Sequence, residues 1–161
     1  MNRRKPRNQE RAAREGECIE FSNQTSLPVE EEGICATFVN PHGRELRKIQ
    51  YDKCYFRETE GGRADFIIGY DRDIDVILEL KGSDLKHALI QVTDTLERWK
   101  TDEIRYKQIV CLIVYGHTFP RARSNRGAME RDFLDWHHSL LWIRQNGEER
   151  FNFRKLAGRS K

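Results

Sequence analysis

Glu79 and Lys81 close the otherwise apolar run Asp75-Val76-Ile77-Leu78-Glu79-Leu80-Lys81. Residues two apart share a face of a strand, so a carboxylate and an ammonium emerge together at its end. Charges at the edge of a core are normally paired, solvated or metal-bound. A further acid, Asp65, leads into the apolar stretch Phe66-Ile67-Ile68, the strand expected alongside. Two acids and one lysine can therefore converge. Hard cations such as magnesium, with manganese a second fit, bind through oxygen and keep waters that can attack phosphorus. Asp65 and Glu79 would hold the ion. Lys81 would orient or activate the water and offset charge building on the phosphoryl oxygens.

Asp65, a turn, then Glu79-Leu80-Lys81 at a strand end followed by a helix resembles the PD-(D/E)xK nuclease superfamily, whose core restriction endonucleases and Holliday-junction resolvases share. The resemblance covers roughly residues 46–115. It implies an α/β fold of the restriction-endonuclease-like type, a mixed sheet flanked by helices, and phosphodiester hydrolysis in nucleic acid, expected to be DNA. It also implies that the Leu80 carbonyl ligates metal and that a glutamine on the following helix, here Gln91, contacts water or phosphate. Ala64 stands where the family's name has proline. Many members add an acid from an N-terminal helix, and Glu20, Glu30, Glu31, Glu32 and Asp52 are all open for that role. The alternative from another class is a nuclease-fold module that binds nucleic acid or assembles with partners without turnover.

Asp84-Leu85-Lys86 also matches [DE]xK, but it falls at a helix start, where positions two apart point in different directions. His87, one helical turn before Gln91, is read as a helix-surface residue without a task, and adjacent His137 and His138 diverge by about 100° on a helix and cannot readily clamp one metal. Trp99, Trp136 and Trp142 fit core or interface positions better than base-stacking platforms. No GxxxxGK[ST], GxGxxG or GxSxG pattern occurs, which removes the main supports for P-loop, dinucleotide and serine-hydrolase chemistry.

The elements that must position these residues follow from periodicity and turn signals. Gly61-Gly62 breaks the chain before a buried strand over 63–68, and 70–73 connects it to the strand ending at Lys81 in an antiparallel pair. After Gly82-Ser83-Asp84, apolar residues at 85, 88, 89, 92, 96 and 99 predict a helix with Gln91 on the flank of its stripe. The near-continuous apolar run 108–115 predicts a strand covered on both faces. A second helix is expected over 127–139 and a further strand over 140–144. Asn40-Pro41-His42-Gly43 suggests a hairpin between 34–39 and 46–51, and Asn146-Gly147 another leading to Phe151 and Phe153.

The 161 residues suit one domain, expected over 17–161, with residues 1–16 as a basic flexible arm. Although 34% of residues are charged, the net charge is only +3, so distribution is more informative than the sum. Arg3, Arg4, Lys5 and Arg7 at the start, and Arg121, Arg123 and Arg126 in an expected loop, are candidates for phosphate contacts. A single small domain has little room for base reading, which makes a homodimer one option for a duplex cutter. Four dispersed cysteines, no signal-peptide pattern and no apolar stretch near 20 residues predict reduced thiols, no membrane span and a cytoplasmic protein.

Overall fold

The computed structural model describes residues 16–57, 61–116 and 122–159, with helical side chains in the last stretch from Asn125 onward. A six-stranded mixed sheet runs in the order β1 (Ile19–Ser22), β4 (Leu46–Gln50), β5 (Phe66–Tyr70), β6 (Ile74–Lys81), β7 (Gln108–Tyr115), β8 (Leu141–Gln145). The first three pairings are antiparallel, and the two from β6 to β8 are parallel. A parallel pair needs a long crossover. Helix α1 (Leu85–Trp99) supplies it between β6 and β7, and α2 (Ala122–His137) joins β7 to β8.

Each face of this sheet has its own cover. Ile67, Ile77, Cys111 and Ile113 pack under Leu85, Ala88, Val92 and Leu96 of α1 and Phe133 of α2. Val76, Leu78, Val110 and Leu112 pack beneath a second sheet, β2 (Ser26–Glu31), β3 (Ile34–Val39) and β9 (Phe151–Asn152), together with Phe153 and Leu156 of the short α3 (Phe153–Leu156). Strands covered on both sides lose the polar alternation of a half-exposed sheet. The sequence patterns of β6 and β7 are apolar for that reason.

Helix α1 starts where predicted, with the Asp84 carboxylate accepting from the His87 amide at 2.9 Å. The β5–β6 antiparallel pair and the both-faces-covered β7 also agree with expectation. Both expected hairpins fail. β3 pairs with β2 and β9 instead of β4, and β8 and β9 join different sheets. A turn signal reverses the chain without deciding which sheet the next strand enters. The hairpin that does form, β2–β3, turns at Glu32 (φ 51°) and Gly33 (φ 81°), the left-handed pair that a two-residue turn requires.

Three further expectations are corrected. β5 begins at Phe66, so Asp65 lies just outside the strand expected to include it. α2 begins five residues before Gly127, which places Arg126 in a helix, not a loop. Cys18 and Cys54, 36 residues apart, are brought to a Cα separation of 5.6 Å and form a disulfide; only Cys35 and Cys111 remain free. The expectation of four reduced thiols fails for that pair, and with it part of the argument for a reducing compartment. No described helix is long and apolar enough to cross a membrane.

Candidate metal centre

Extending the β5–β6 register one step past Phe66↔Leu78 sets Asp65 opposite Glu79. There the regular ladder gives way to an exchange between side chains and backbone. The Asp65 amide donates to Glu79 Oε2 at 3.1 Å, and the Leu80 amide donates to Asp65 Oδ2 at 2.8 Å. Each carboxyl is thus held by the backbone of the other's strand. In an extended strand the N–H and C=O of one residue project to the same side, so the Leu80 carbonyl faces the Asp65 side of β6.

Glu79 is 2% exposed and Asp65 9%. Burial is the largest influence on both, and it raises both carboxyls well above their ordinary range. For Asp65, the Leu80 hydrogen bond pulls downward, while the Glu31 carboxyl and the Asp52 charge push further up. For Glu79, the Asp65 charge raises and the Lys81 ammonium lowers. Lys81 is partly exposed, and no described residue forms a hydrogen bond or ion pair with its ammonium. A cation placed between the two carboxyls would favour their ionised forms.

A cavity of about 190 Å³ opens beside Asp65, lined also by Glu30, Glu31, Gln50, Asp52, Lys53 and Phe66. This narrows the open question of an additional acid. Glu31, at the tip of the β2–β3 hairpin, lines the same cavity as Asp65 and raises its carboxyl, and Asp52 lines that cavity too. Glu20 lines a different cavity, beside Cys18. Both nearer acids already have cationic neighbours: Asp52 pairs with Arg63 at 3.2 Å and Glu31 with Lys53 at 3.7 Å.

Among the described residues, no group of three or more His, Cys, Asp and Glu side chains is arranged to hold a metal by itself. Asp65, Glu79 and the Leu80 carbonyl would offer a cation two carboxylates and one carbonyl. That set suits magnesium, which is commonly held by one or two carboxylates and keeps several waters.

The remaining predicted residues divide. Gln91 does reach the segment leading to Asp65, but its Nε2 donates to the Arg63 carbonyl at 3.2 Å and its buried Oε1 has no partner among the described residues. Arg126 is spent on a two-bond ion pair with Glu148 at 2.9 and 3.0 Å. Arg3, Arg4, Lys5, Arg7 and Arg121, and the side chain of Arg123, lie outside the described residues. His87 is exposed and His137 packs on Phe133. Trp99 is core, Trp142 is half-buried, and Trp136 is 82% exposed.

Sequence reasoning missed Asp94, Thr95 and Arg98, which bond to the backbone just before Asp65. No signal in the sequence marked them, since the complete burial of Thr95 appears only once the chain is folded.

No family model, curated protein or solved structure matches the chain.

Proposed function

We propose that this chain is a divalent-metal-dependent nuclease, acting on DNA through a PD-(D/E)xK-type site on a restriction-endonuclease-like core. The observation that carries the reading is the paired bonding at the end of β6, where Glu79 accepts from the Asp65 amide and Asp65 from the Leu80 amide, with Lys81 two residues on along the same face of β6. Asp65, Glu79 and the Leu80 carbonyl would hold magnesium, which supplies Lewis acidity and an ionised water. Lys81, two residues beyond Glu79 in β6, would orient that water and oppose charge on the phosphoryl oxygens. Burial removes competing solvent, which strengthens both effects.

The test is incubation of purified protein with linear, branched and single-stranded DNA, with magnesium or with EDTA. Magnesium-dependent cleavage of at least one substrate, absent in EDTA, is the expected result. Binding without cleavage by the unaltered protein across all substrates would favour the non-catalytic binding module.

A further inference from the structure

Asp65 lies one residue outside β5, so ladder bonds do not hold the segment that delivers it. Helix α1 does this instead. Gln91, Asp94, Thr95 and Arg98 follow i, i+3, i+4, i+7 spacing and form one polar face beside the apolar stripe. All four bond to the backbone of residues 62–64. The Gly62 amide donates to Asp94 Oδ2 at 2.7 Å, and the Gly62 carbonyl accepts from Arg98. The Arg63 carbonyl accepts from Gln91, and the Ala64 amide donates to Thr95 Oγ1 at 2.8 Å. Thr95 is itself anchored, donating to the Gln91 carbonyl at 2.8 Å.

Two features tie this contact to the position of Asp65. A Cβ on Gly62 would lie 2.8 Å from the Gln91 Cα, so the loop backbone rests directly on the helix with no space to shift inward. Arg98 also donates to the Tyr51 hydroxyl at 2.9 Å, and the Tyr51 amide donates to the Asp65 carbonyl at 3.0 Å. One helix face therefore reaches Asp65 by two routes, through the residues before it and through Tyr51.

We infer that the polar face of α1 is a clamp, with Asp94 and Thr95 as positioning residues that set the Asp65 carboxylate for a small, geometrically demanding cation. The inference rests on the metal-site reading above. Magnesium requires near-ideal octahedral geometry at short distance, whereas calcium accepts longer and more variable bonds. Loosening the clamp should therefore weaken magnesium more than calcium, and a purely structural contact has no reason to alter that ratio.

The experiment is calorimetric titration of the full chain with magnesium and, separately, calcium, alongside thermal melts. Thr95→Val and Asp94→Ala should each bind magnesium about tenfold or more weakly, the range expected when an outer-shell partner is lost. Calcium affinity should fall by less. Thr95→Ser and Asp94→Asn keep an acceptor oxygen and should return toward the parental ratio. Ile143→Val, a buried truncation in β8 away from residues 62–65, controls for general softening. Should Thr95→Val fail to fold, the Asp94→Ala and Asp94→Asn pair gives the same reading. Parental magnesium affinity in the clamp variants overturns the inference, and so does an equal loss for both cations or an equal loss in Ile143→Val. An unaltered protein that takes up neither ion defeats the underlying metal-site reading itself.

Discussion

Strand β6 buries two acids on one face, Asp75 near its start and Glu79 near its end, and their surroundings are opposite. Asp75 receives Arg47 at 2.8 Å, the Trp99 indole at 2.9 Å and the Tyr106 amide at 2.6 Å. Arg47 in turn donates to the Ile104 carbonyl at 2.7 Å and stacks 3.7 Å from the Tyr106 ring centre, leaving only its Nε without a partner. Gly69 is required there, because a Cβ would come within 2.5 Å of that ring. Glu79 has one backbone donor, from Asp65, and that residue brings a second carboxyl.

Burial raises both acids, but the neighbouring charges then diverge: Arg47 pulls Asp75 back down, while Asp65 pushes Glu79 further up. A buried acid whose lone pairs are filled belongs to the scaffold. One left facing another acid retains capacity for a cation.

Arg47→Ala should produce the largest effect, since it leaves Asp75 buried without its counter-charge; a loss of about 3–5 kcal/mol in urea unfolding is expected. A loss well under 1 kcal/mol would mean that solvent reaches Asp75 and would erase the contrast.

Glu79→Gln should do the reverse in metal-free protein, stabilising it by on the order of 1–2 kcal/mol at alkaline pH, because one pKa unit corresponds to about 1.4 kcal/mol. The sign follows from the raised carboxyl. Its contribution is present below the unfolded value and is lost as pH rises through the higher folded value. The advantage of Glu79→Gln should accordingly grow with pH and vanish in acid, which melts across a pH series will read. A pH-independent difference would contradict the placement of an ionisable, repelled acid there.

Much of the candidate site's arrangement was legible because it is local. Glu79 and Lys81 follow from strand alternation, and the α1 stripe from helical spacing. What failed depended on long-range choice. The turns after β3 and β8 were visible, but their strands join sheets assembled from distant segments. The Cys18–Cys54 bond joins the segments next to β1 and β4, which are distant in sequence and meet only through the sheet. Thr95 and Asp94 resemble ordinary helix residues until residues 62–64 lie against them, and Asp75 resembles a polar strand start until Arg47 and Trp99 arrive from other elements.

The central claim is that Asp65 and Glu79 hold an ion that Lys81 does not, and paired measurement of magnesium affinity and single-turnover DNA cleavage tests it most directly. Asp65→Asn and Glu79→Gln should lose both together, since a neutral amide replaces a charged ligand. Lys81→Ala should keep magnesium binding while cleavage falls by about two to three orders of magnitude, as for removal of a transition-state donor. Cleavage at the parental rate in Lys81→Ala would contradict the role assigned to the lysine, and full activity in both carboxylate variants would contradict the site.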